Sequence, residues 1–83
     1  MRIFNHEAAP AEERQKMIQE NIKAARKAAG VTQKDLAQAM GVYQKDISRW
    51  ERGERLPSLE MFAKLCRALD VSADTILEIK KDE

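Results

Sequence analysis

Apolar residues along this chain recur three and four positions apart rather than in alternation, and the pattern is punctuated at Gly30, Gly41, Gly53 and Pro57. Such spacing places side chains on one face of a helix, whereas a half-buried strand needs a period of two. The expectation is an all-α fold of five short helices joined by tight turns. The first helix is expected to begin near Pro10, a favourable first-turn residue, with Glu12 and Glu13 at its positive end. Ile18, Ile22, Ala25 and Ala29 form its stripe, and Gly30 stops it. The second is Gln33–Met40, with Thr32 as N-cap and Leu36, Ala37 and Met40 facing inward. The third runs from about Gln44 to Arg52 and is closed by Gly53. Ser58 caps a fourth, in which Leu59, Phe62, Ala63, Cys66 and Leu69 share a face. Ser72 caps a short fifth helix holding Ile76, Leu77 and Ile79.

Composition narrows the class without changing this picture. Eighty-three residues make one domain with a modest core and no room for a second catalytic lobe. With 43% hydrophobic and 35% charged residues, the chain reads as a soluble globular domain. No apolar run approaches the ~20 residues that span a bilayer. Residues 1–10 lack the apolar stretch of a signal peptide, so a cytoplasmic location is expected. Cys66, the single cysteine, lies among apolar neighbours and reads as a small core residue. His6, the single histidine, has no ligand partners at metal spacing. No nucleophile–base pair and no glycine-rich phosphate loop is visible, so neither catalysis nor a cofactor is expected.

Charge does change the picture. Net charge is only +1, but residues 23–55 carry eight Lys and Arg against four acids, while both flanks are net negative. A central basic segment is what a phosphate-facing surface requires, although a solvated charged surface would look the same. Within it, two short helices joined by Met40-Gly41-Val42-Tyr43 make a helix-turn-helix candidate. Val42 and Ile47 would lock its second helix against the first. On the outward face of that second helix, Gln44, Lys45, Ser48, Arg49 and Arg52 make one polar stripe, opposite Ile47, Trp50 and Glu51. Gln can pair bidentately with adenine, and Arg or Lys with guanine. Many surface helices share this split, so the turn context carries the inference. Trp50 reads as a packing residue rather than a base-stacking platform.

At these positions the sequence resembles a known family. Thr32-Gln33-Lys34-Asp35-Leu36-Ala37, Gly41-Val42, Ile47-Ser48-Arg49-Trp50-Glu51-Arg52-Gly53 and Pro57-Ser58-Leu59 are similar to the lambda repressor/Cro-type helix-turn-helix family, which includes Xre-like transcriptional regulators. The resemblance covers about residues 18–79. It implies a five-helix lambda-repressor-like DNA-binding domain over 18–79, preceded by an extension at 1–17 and followed by a tail at 80–83. It also implies a sequence-specific regulator, a repressor, binding double-stranded DNA as a homodimer on a pseudo-palindromic operator. Gln44, Lys45, Ser48 and Arg49 would read bases. Gln33, Arg52 and Arg55 would hold phosphates, with Gln33 also bracing Gln44, and amides near the start of the fourth helix would assist. Arg26 and Glu51 match a structural ion pair.

Two departures stand out. Tyr43 occupies a position where the family usually has Ser or Thr as the cap of the recognition helix; it could reach a phosphate or pack on a thymine methyl. The extension at 1–17 is longer than the minimal domain needs: it is either a disordered arm or a lengthening of the first helix, and Pro10-Ala11-Glu12-Glu13, which reads as a helix start, favours the second. Met61, Leu65, Leu77 and Ile79 read either as core filling or as a dimer patch near the C-terminus. The alternative function keeps the fold and changes the partner: an antitoxin, or an accessory or coactivator protein whose main contact is another protein.

Overall fold

The structure, a computed structural model, describes residues 11–79. Five helices follow in order: α1 (Ala11–Ala28), α2 (Gln33–Met40), α3 (Gln44–Arg52), α4 (Leu59–Leu69) and α5 (Ala73–Leu77). α1 carries Glu12 and Glu13 in its first turn, where the helix dipole favours acids. It therefore takes in residues 11–17 of the expected extension. Residues 1–10 and 80–83, including Pro10, His6 and the C-terminal tail, lie outside the described residues.

α2, α4 and α5 each begin at a side chain that satisfies an orphan backbone N–H. Thr32 Oγ1 accepts from the Asp35 N–H at 3.0 Å while the Thr32 N–H donates to Asp35 Oδ2 at 3.4 Å, a capping box at the start of α2. Ser58 Oγ accepts from the Met61 N–H at 3.1 Å, and Ser72 Oγ from the Thr75 N–H at 3.2 Å. These caps set the entry of α2, α4 and α5 and so the tight turns between them.

Packing converges on one core. α1 lies against α3 and α5, α2 against α3 and α4. Ile22, Ile47, Leu65 and Ile76, one from each of α1, α3, α4 and α5, are fully buried, and Leu36 of α2 is nearly so. Ala37, Met40, Trp50, Cys66 and Leu69 complete it. Asn21 ties α1 to the end of α5: its Nδ2 donates to the Ile76 carbonyl and to Glu78 Oε2, each at 2.8 Å. Burial pushes the Cys66 thiol up from its ordinary value, consistent with a packing rather than a reactive role.

Some expected faces are rotated. On α4 the buried side holds Leu65, Cys66 and Leu69, with Phe62 half-buried, whereas Leu59 is 86% exposed and Ala63 is exposed. Both stripes share positions 62, 66 and 69. Leu65, fully buried, is core, whereas Leu59 lies beyond the core's edge. Met61 is half-buried against the core. Ala29 is exposed because α1 has ended one residue earlier, and Ile79 lies past the end of α5 and is exposed.

Candidate nucleic-acid interface

The candidate surface is built on α2, its turn and α3. At Gly41 the chain takes φ 72°, a left-handed conformation costly for any residue with a Cβ. The Val42 N–H then closes on the Ala37 carbonyl at 3.0 Å, and the chain turns into α3. Tyr43 stands at the N-cap of α3 without a side-chain capping bond; its backbone N–H instead donates to Asp46 Oδ2 at 3.2 Å. Asp46 thus supplies half of a capping box and the negative charge that the helix N-terminus favours. Tyr43 is 72% exposed, with Lys45 Nζ 5.5 Å from its ring centroid.

The back of α3 is fixed by apolar and ionic contacts. Ile47 and Trp50 are buried, and burial assigns Trp50 to packing rather than to base stacking. Glu51 is buried too and is fully partnered. Arg26 of α1 donates to it through Nε at 2.6 Å and Nη2 at 3.1 Å, and Gln33 Nε2 of α2 adds a third bond at 3.0 Å. Arg26 Nη1 also donates to the Val31 carbonyl at 2.9 Å, closing the turn after α1. The hydrogen bond to Glu51 pushes the Arg26 guanidinium still further up, so it stays charged although buried. One carboxylate therefore joins α1, α2 and α3. Gln33 braces Glu51 here, not Gln44.

The front of α3 holds the remaining expected residues. Gln44, Lys45 and Arg52 are exposed; Ser48 and Arg49 are half-buried. All five share the outward stripe. Arg49 lines a cleft of about 200 Å³ between α3 and the start of α4, bordered by Val42, Asp46, Arg55, Leu56 and Met61. Arg55 is exposed at its rim. Arg52 is engaged: Nε and Nη2 donate to Glu54 at 2.7 and 3.2 Å, and Nη1 donates to Ser48 Oγ at 2.6 Å. The hydrogen bonds from Arg52, with the charges of Arg52 and Arg49 beside it, hold the Glu54 carboxyl below its usual value.

Sequence reasoning missed Glu54, Gln19 and Asn21. Glu54 stands two residues from Arg52, a spacing that does not face across a helix. Only the left-handed turn at Gly53, φ 76°, folds it back. Gln19 of α1 packs over that same glycine, where a Cβ would run into its side-chain amide. Among the described residues no group of three or more His, Cys, Asp or Glu is placed to hold a metal, and no helix is long and apolar enough to cross a membrane.

A two-helix unit with a glycine turn, a buried back and a hydrogen-bonding front offers donors and acceptors on a ridge of helical width. The B-DNA major groove, about 12 Å wide, admits such a ridge. Comparisons with known proteins point the same way. The helix-turn-helix family model matches residues 22–76. The cryptic phage CTXphi transcriptional repressor RstR of Vibrio cholerae is 34% identical over 59 residues, 71% of this chain and 53% of that protein. The uncharacterized HTH-type transcriptional regulator YazB of Bacillus subtilis is 37% identical over 60 residues, 72% of this chain and 87% of that protein. Among solved structures, the clp gene regulator ClgR from C. glutamicum superposes with a TM-score of 0.76 at 31% identity, over 86% of this chain and 91% of that one. The chain spans about half the length of three of the curated relatives it matches.

Proposed function

This chain belongs to the helix-turn-helix family of the lambda repressor/Xre type, and from that premise we propose that it is a sequence-specific DNA-binding transcriptional regulator acting as a repressor in the cytoplasm. The function is binding, not catalysis, and it calls for no cofactor. The observation that carries the reading is the division of α3: Ile47, Trp50 and Glu51 lock its back, while Gln44, Lys45, Ser48, Arg49 and Arg52 face outward together. Gln44, Lys45, Ser48 and Arg49 read base edges. Arg52 and Arg55 hold phosphates, Tyr43 offers its exposed hydroxyl to another, and Gln33 contributes at the start of α2. Phosphate contacts set register and base contacts set sequence.

A homodimer on a pseudo-palindromic operator completes the reading, with two α3 helices about 34 Å apart, one turn of DNA. What supports it is the exposed apolar surface beside the cleft. Leu56 and Leu59 are exposed and border a hollow with Ile18, Pro57, Phe62 and Leu77. Leu56 also borders the Arg49 cleft, so this apolar patch adjoins the DNA-facing surface. Bound across a promoter, such a dimer blocks polymerase.

Selection from a randomised duplex pool at physiological salt tests the reading. Enrichment of an inverted repeat with half-sites about one turn apart is the expected result. A pool that stays unenriched would contradict it and favour a regulator whose main contact is another protein.

A further inference from the structure

Arg52 ends α3 on the face assigned to DNA, yet the side of its guanidinium best suited to grip an anion is already taken. Nε and Nη2 form a fork that closes on both oxygens of Glu54, at 2.7 and 3.2 Å. Nη1 is bonded to Ser48 Oγ, 2.6 Å away. A carboxylate in that fork presents the same two-oxygen geometry as a DNA phosphate, because both accept two parallel N–H donors. Glu54 and a phosphate therefore compete for one edge of one cation. Arg49 adds its charge to the same neighbourhood.

The pair is poised to open. Both side chains are more than half exposed, so the bond is made in water, where an ion pair contributes little. Glu54 follows Gly53 directly and is an exposed residue outside any helix, so its side chain can swing out without disturbing α3. By contrast, the Arg26–Glu51 pair is buried and anchors α3. The Arg26–Glu51 and Arg52–Glu54 pairs thus differ in kind: the first is structural, the second exchangeable.

We propose that Glu54 is a built-in competitor of DNA phosphate, occupying the Nε–Nη2 fork of Arg52 in the free protein and leaving it when the backbone of the duplex docks. The inference rests on the DNA-binding reading above and assigns Glu54 a regulatory part in it. Glu54 lowers affinity for any sequence alike, because phosphates are present in all, and so holds back non-specific binding. It also ties Ser48, a base-facing hydroxyl, to the state of a phosphate contact through Nη1 of Arg52.

The test is a double-substitution cycle on a mixed-sequence duplex at low salt, where phosphate contacts supply the binding. Wild type, Glu54→Gln, Arg52→Ala and the double variant are titrated in parallel. Glu54→Gln is expected to tighten binding about two- to fivefold, the strength of an exposed pair. In the Arg52→Ala background that gain is expected to fall by at least half, since no fork remains to contest. An equal gain in both backgrounds would overturn the proposal, leaving Glu54 as a general repulsive charge. So would a Glu54→Gln variant no tighter than wild type. If the wild-type protein fails to bind the duplex at all, the DNA-binding reading itself falls, and the proposal with it.

Discussion

Arg26 and Glu51 lie twenty-five positions apart in sequence and meet inside the molecule, where an unpaired charge is expensive. Removing one partner strands the other: Glu51→Ala leaves the Arg26 guanidinium buried and Gln33 without its acceptor. The expected cost is about 3–5 kcal/mol, measured by chemical denaturation. Replacing both with apolar residues, Arg26→Met with Glu51→Leu, should recover most of it, because desolvation no longer has to be offset. A loss under about 1 kcal/mol for the single change would show that water reaches the pair. Single residues also mark the limit of what the sequence discloses. The Arg26–Glu51 pairing and the inward Trp50 were legible, because helical phase puts Trp50 and Glu51 opposite the polar stripe and the family pattern pairs Arg26 with Glu51. Gln33 bonding Glu51 was not, because an amide at a helix start can reach several partners and only the crossing of α2 over α3 selects one. The Glu54 clamp on Arg52 was invisible for a similar reason: it depends on a left-handed turn whose side-chain consequences have no periodic signature.

At the scale of elements, caps and stops are legible in the sequence and buried faces less so. Thr32, Ser58 and Ser72 cap as expected, and Gly30, Gly41 and Gly53 all take positive φ. These signals are local, written within a few residues. The buried face of α4 lies one notch away from its apolar stripe, because Leu59 and Ala63 extend that stripe onto an exposed side. Which side of an amphipathic helix is buried depends on partners distant in sequence. The two turn glycines of α2 and α3 allow a test of this level. Gly41→Ala and Gly53→Ala each force a Cβ into the left-handed region, at about 1–2 kcal/mol. The Gly53 change also meets the Gln19 amide, whereas nothing crowds Gly41. Thermal unfolding should therefore rank Gly53→Ala as the more destabilising, and Gln19→Ala should narrow the gap. Equal losses would mean that Gln19 swings aside freely.

The whole molecule is nearly neutral, yet eight of its fifteen Lys and Arg fall in residues 23–55, from the last turns of α1 through the turn after α3, against four acids. That arrangement favours docking in one orientation over bulk attraction to any polyanion. The exposed Leu56–Leu59 patch borders the cleft that Arg49 lines. If a second copy covers this patch, Leu59→Asp should yield a monomer by sedimentation. Its unfolding midpoint should be nearly unchanged, since Leu59 contributes nothing to the core. Weaker operator binding should accompany the loss of the second copy. A dimer persisting in that variant would move the interface elsewhere.

On the proposed reading, the outward side chains of α3 divide into base readers and phosphate holders. The most direct measurement is the affinity of wild type, Arg49→Ala and Arg52→Ala for a selected operator and for every single-base variant of it, at several salt concentrations. Arg49→Ala is expected to lose about 1–3 kcal/mol on the operator, with preference flattened at one base position. Arg52→Ala is expected to lose affinity uniformly on all sequences and to lower the salt slope by about one. Uniform losses for both variants, with every base preference intact, would contradict this division of roles.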